Sequence, residues 1–124
     1  MSRRIPRATI MGAAVLAALI SVAPAAAGQR VIGRSQASSR AAVTATHASV
    51  TQPRALYLRG YGRNLSGMAV VACSRGSSFR SKSSKFNSMR SGQLYKLSLP
   101  QSGNCGVTAW LSGSGRIQLQ ILAS

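Results

Sequence analysis

Ser74 to Ser91 carries the densest chemistry in the sequence. It holds eight Ser and five cations, Arg75, Arg80, Lys82, Lys85 and Arg90, interleaved with Phe79, Phe86 and Met89. Guanidinium and ammonium groups neutralise anionic oxygens, hydroxyls add hydrogen bonds to them, and aromatic faces stack on bases or sugars. The five cations are therefore the candidate anion-binding residues, and Phe79 and Phe86 the candidate stacking residues. The competing reading is a solvated loop or edge strand, its charge opposing sheet-edge aggregation and both rings turned into the core.

Weaker signals lie on either side. Arg59-Gly60-Tyr61-Gly62-Arg63 has the composition of one Arg-Gly nucleic-acid-binding repeat, although a single glycine cluster marks a turn first. Gly113-Ser114-Gly115-Arg116 offers backbone N–H groups and a cation to an anion, with a hairpin as the simpler account. Asn64-Leu65-Ser66 is a glycosylation sequon, relevant only in a eukaryotic host. Trp110 is either a stacking platform or a core residue.

Catalysis lacks its parts. The 124 residues include 16 Lys plus Arg and one His, but no Asp or Glu. Carboxylate pairs, Ser-His-Asp triads and carboxylate-held Ca²⁺ or Mg²⁺ sites are excluded outright. His47 has neither a carboxylate to orient it nor a second His beside it. A Ser–Lys dyad drawn from Lys82, Lys85 or Lys96 has no spacing that singles out one Ser. Two Cys and one His do not complete a four-ligand zinc site. The expectation is a non-enzymatic protein with no cofactor, no metal and no small-molecule substrate.

Residues 1–27 have the anatomy of a cleaved secretory signal: basic Arg3, Arg4 and Arg7, an apolar run from Ile10 to Val22, then Ala25-Ala26-Ala27 before Gly28. The apolar run is shorter than the roughly 20 residues of a spanning helix, which disfavours an uncleaved anchor. Ser2-Arg3-Arg4 hints at twin-arginine export, but Pro6 stands where that signal prefers a bulky apolar residue. The Arg- and Ala-rich leader has a bacterial character. Cleavage leaves 97 residues and 13 of the 16 cations, a secreted chain that repels its own copies and is drawn to polyanions. Cys73 and Cys105 both remain, and an even count in an exported chain points to one disulfide, worth roughly 3–4 kcal/mol by loop closure.

The elements that must position these residues read as strands. Gly28–Arg40 has only Val31 and Ile32 as large apolar residues and is expected to be disordered, leaving a β domain over 41–124. Within it, Val43–Val50, Ala55–Leu58 and Met68–Cys73 are candidate strands. So are Gln93–Leu99, with Tyr95, Leu97 and Leu99 on one face, and Cys105–Leu111, with Trp110 on the face opposite Cys105. Ile117, Leu119 and Ile121 alternate with Arg116, Gln118 and Gln120 in the clearest strand. Gly60-Tyr61-Gly62 with Asn64, Pro100 to Asn104, and Ser112 to Gly115 read as the turns between them. Five to seven short strands, stapled once, make a small all-β sandwich or open barrel.

The leading functional expectation is a secreted cationic domain that binds polyanions: a cell-wall glycan, an anionic lipid or a nucleic acid. The alternatives are a small structural or protein-interaction module, such as a surface component or inhibitor, whose charge serves solubility, and a cationic toxin or antimicrobial. The last lacks the basic amphipathic helix usual for membrane attack. Intact-mass measurement of exported protein should find an N-terminus near Gly28. A chain that still begins at Met1 overturns the leader assignment.

Overall fold

The structure is a computed structural model and describes residues 28–124. The leader expected over 1–27 lies outside the described residues. The rest is all-β: β1 (Arg30–Val50), β2 (Leu56–Arg75), β3 (Ser78–Met89), β4 (Leu94–Leu97) and β5 (Asn104–Ala123). They form one antiparallel sheet in the order β1-β5-β2-β3, with β4 also paired to β2. β3 pairs with the 65–75 part of β2 and β4 with its 56–59 part. These two strands therefore share one edge of β2 and act as a single interrupted strand.

The expected fold class stands, but the strands are far longer than their sequence pattern suggests. β1, β2 and β5 run for 21, 20 and 20 residues. The expected turns at 60–64 and 112–115 are where these strands bend without ending, whereas Pro100 to Asn104 does connect β4 to β5. The register slips between Ser39 and Ala42 in β1, and between Arg63 and Ser66 in β2 opposite Ser112 and Ser114 of β5. Extra residues of this kind kink a strand and increase its twist. Gly62 (φ 140°), Asn64 (φ 53°) and Gly115 (φ 77°) supply the left-handed backbone that such bulges need. The glycine clusters at 60–62 and 113–115 are thus bulge residues, and neither a turn after Leu58 nor a hairpin at Ser112–Gly115 exists.

The line of bulges folds the sheet on itself. Residues 30–39, 56–62, 94–97 and 116–123 form a first layer, and residues 42–50, 65–75, 78–89 and 104–112 form a second. The inner faces touch closely. A β-carbon at Gly60 would lie 2.9 Å from Leu111 Cδ1, and one at Gly67 would lie 3.1 Å from Leu58 Cδ2. Between the layers the core holds Leu56, Leu58, Leu65, Val71, Val107, Leu111, Ile117, Leu119 and Ile121. The alternation read in β5 assigns these inward positions correctly. Cys73 and Cys105 sit opposite each other across β2 and β5, with Cα atoms 4.0 Å apart, and form the disulfide.

The expectation of disorder over 28–40 is overturned from Arg30 onward. Gly33, Ser35 and Ala37 face inward opposite Ile121, Leu119 and Ile117 of β5, so the large side chains needed for burial come from the partner strand. Thr46 Oγ1 donates to Arg34 O (3.4 Å), joining the two halves of β1 across the fold. Small residues suffice there because the space is filled from the other side.

Leu119→Ala should lower stability by about 2–5 kcal/mol, and reducing the disulfide should remove about 3–4 kcal/mol. Gln118→Ala, next to Leu119 but facing outward, should change little. Urea midpoints read all three. Equal effects for Leu119 and Gln118 would overturn the assignment of faces.

Candidate functional site

Paired residues in a sheet point to the same side, so the register divides every strand between the core and two outer faces. On the outer face of the first layer, Arg34, Gln120 and Arg59 lie in one cross-strand row. Gln36, Gln118 and Tyr61 lie in the next. Tyr57 and Lys96 are paired on the side of β4, and Ser38 and Arg116 on the side of the bend. Two strand spacings separate Arg34 from Arg59, about 10 Å along the hydrogen-bonding direction.

Arg59 is the fixed element of this plate. Its Nε donates to Gln120 Oε1 at 2.9 Å, and its guanidinium lies 5.6 Å from the centre of the Tyr61 ring. Gln120 is itself only 8% exposed. Packing and a hydrogen bond therefore hold the guanidinium in place before any ligand arrives, which spares part of the ordering entropy of binding. Tyr61 is braced in turn by the 90–93 turn, where Gly92 N–H donates to Gly60 O (2.8 Å). Arg34, Gln36, Lys96 and Arg116 are exposed around this centre, and Tyr57 and Gln118 are partly buried. With no acidic side chain in the sequence, the positive field of the plate has no side-chain carboxylate to cancel it.

The residues singled out by sequence do not converge in this way. Ser74–Ser91 is mostly the edge strand β3, a 12-residue strand about 40 Å long. Arg80 and Lys82 pair with Cys73 and Val71 and point to the inner side, where the edge leaves them exposed. Phe79 and Lys85 pair with Ser74 and Met68 and point to the outer side. Arg75 stands at the far end of β2, its Nη1 donating to Ser102 Oγ (2.9 Å), and Arg90 follows the opposite end of β3. The five cations share a segment of chain but no surface. Phe86 also departs from the expected role, since its partly buried ring packs on Tyr95 with centroids 5.1 Å apart. Phe79, 69% exposed, remains available for stacking.

Phe79 borders the outer face of the second layer. That face carries a cleft of about 720 Å³, lined among others by Ser49, Ala72, Ser74, Asn104 and Gly106. Trp110 lies farther along the same face, partly buried, opposite Ala45 and Met68. His47 Nδ1 is 3.1 Å from Thr108 Oγ1, again on this face. Among the described residues, no group of three or more His, Cys, Asp or Glu comes together to hold a metal.

Sequence reading missed the plate because its members are scattered from Arg34 to Gln120. The available signal was the polar alternation Arg116, Gln118, Gln120 in β5. The partners Arg34, Gln36, Arg59 and Tyr61 follow only once the register is known.

No family model and no curated protein matches the chain. Two solved structures are similar to it. One is a family two carbohydrate esterase from Cellvibrio japonicus, 16% identical with a TM-score of 0.41; the match covers 77% of this chain and 30% of the esterase. The other is TmCBM61 in complex with β-1,4-galactotriose, 13% identical with a TM-score of 0.38; the match covers 77% of this chain and 86% of that one. The chain thus spans less than a third of the esterase's length.

Proposed function

We propose that the protein is a secreted, non-enzymatic domain that binds an anionic glycan through the Arg34–Arg59–Arg116 plate. One observation carries this reading: a guanidinium fixed by Gln120 and Tyr61 at the centre of a face rich in cations. Such a group gives directed hydrogen bonds to sulfate, phosphate or carboxylate oxygens, and these are stronger than neutral ones. The other members of the plate favour a glycan over a lipid surface. Gln36 and Gln118 offer carboxamides that match sugar hydroxyls, and Tyr57 and Tyr61 add ring faces and phenol groups.

A second reading, single-stranded nucleic acid, is favoured by Phe79 alone, because an exposed ring beside an open cleft suits an unstacked base.

Binding of a heparin oligosaccharide, measured calorimetrically at fixed salt, tests the first reading. Arg59→Gln should weaken it about tenfold to a hundredfold, the range expected for a lost charged hydrogen bond. Combined Arg34→Gln, Arg59→Gln and Arg116→Gln should weaken it far more than Arg75→Gln, Arg80→Gln and Lys85→Gln, which remove the same charge elsewhere. Equal weakening would mean a diffuse field and would overturn the plate as the site. For the second reading, Phe79→Ala should weaken single-strand binding by about 1–3 kcal/mol if its ring stacks on a base. An unchanged affinity removes that reading.

A further inference from the structure

We infer that the seam between the two layers contains a discrete site for a tetrahedral oxyanion, built by Arg54, Lys82 and Lys96. The three cations come from three different segments and line one cleft of about 480 Å³ together with Leu97, Ser98 and Leu99. Lys82 comes from the cation-rich 74–91 segment, whereas Arg54 and Lys96 have no charged neighbour in sequence, so tertiary structure brings the three together. Each is anchored through its backbone. Arg54 N–H donates to Ser124 O (2.7 Å), and Ser124 N–H to Ala55 O (3.0 Å). Lys82 is held opposite Val71 in β3, and Lys96 opposite Tyr57 in β4. Ser98 N–H donates to Ser84 Oγ (3.4 Å), tying the segment after β4 to β3 across the seam. Leu97, 2% exposed, fixes the end of β4 in the core.

The electrostatics of this cleft are one-sided. Three cations line a common space, no acidic side chain offsets them, and the one carboxylate beside them is the chain terminus at Ser124, held by Arg54 N–H, so the balance stays positive. All three side chains are exposed, so salt screens their fields in part and their pull on an anion is strongest at low ionic strength. The occupant that resolves the repulsion is an anion with several acceptor oxygens, which a planar carboxylate provides less well than phosphate or sulfate. Arg54 can engage two oxygens through its fork while the two ammonium groups take the others. The same chemistry is offered by a free oxyanion and by a phosphoryl or sulfo group on a polymer. The site adjoins the plate at Lys96 but uses none of Arg34, Arg59 and Arg116, and it does not depend on the glycan reading.

Thermal unfolding of the disulfide-bonded protein, at constant ionic strength in chloride, acetate, sulfate and inorganic phosphate, tests the inference. Sulfate and phosphate should raise Tm logarithmically once above Kd, by roughly 5–10 °C for each further tenfold in concentration, while acetate should behave as chloride. Lys82→Gln and Arg54→Gln should each abolish the response without lowering Tm in chloride, because removing a repelled cation relieves the empty cleft. Combined Arg34→Gln, Arg59→Gln and Arg116→Gln should keep the response. A free-anion site predicts that methyl phosphate, with its extra ester group, protects less than inorganic phosphate; a polymer-group site predicts protection at least as strong. A response to all four anions alike, or one that survives in both cleft variants, overturns the oxyanion site. That outcome leaves the plate untouched if heparin affinity still falls in the plate variant. Loss of plate-dependent heparin binding with the phosphate response intact would instead overturn only the glycan reading.

Discussion

Gly60 beneath Leu111 and Gly67 beneath Leu58 set how closely the sheet can close on itself, and the rest of the molecule depends on that closure. A single sheet this small has one apolar face to hide and no helix to cover it. Bending every strand along one line lets the sheet cover itself. The bend requires an extra residue in adjacent strands at the same level, which the bulges at 39–42, 63–66 and 112–114 provide. The edge strand breaks at this level altogether, giving β3 and β4 with the 90–93 turn between them. Larger side chains at Gly60 or Gly67 would hold the layers apart and leave Leu119 and Ile121 facing a gap that dispersion forces could not bridge.

A chain with cations but no acidic side chains must fold against its own repulsion. The sequence answers this in two ways. Cations occupy outward-facing or edge positions, where solvent screens them and their aliphatic stems can lie along the surface. The Cys73–Cys105 bond then ties the start of β5 to the end of β2, within the second layer. Uncancelled charge on the surface of a stapled, self-covering sheet is the physical basis for attraction to anions. It selects no partner by itself, because a diffuse positive field draws every polyanion alike. Selection needs groups held at fixed positions, which is what the hydrogen bond from Arg59 to Gln120 provides.

The two outer faces differ in kind. The first layer presents Arg, Gln and Tyr, suited to directed hydrogen bonds with a charged, hydroxylated ligand. The second presents small residues around a cleft that Arg30 also lines, with Val43, Phe79, Trp110 and Met68 among its larger apolar members and Lys85 near them. Because the inner faces are occupied with each other, these surfaces point in opposite directions. A ligand on one leaves the other free.

Much of this was legible in the sequence, and for a clear reason. Apolar alternation in β5 and the apolar run in β2 reflect local side-chain direction, so the all-β class and the inward face of Ile117, Leu119 and Ile121 could be read directly, while the disulfide followed from there being two cysteines. Composition likewise removed carboxylate-dependent chemistry, since a missing residue type needs no coordinates. Continuity across the bend could not be read, because Gly-rich bulges and Gly-rich turns use the same residues and differ only in whether a partner strand continues alongside. Order in β1 was hidden for a related reason: Gly33, Ser35 and Ala37 are buried by the bulk of β5, which lies some 80 residues away in sequence. The candidate site followed the same rule. Ser74–Ser91 drew attention because its charges are adjacent in sequence, yet strand geometry sends adjacent residues to opposite faces. The plate and the seam cleft join residues distant in the chain, and only strand order and register, set by burial of the inner faces, brought them together.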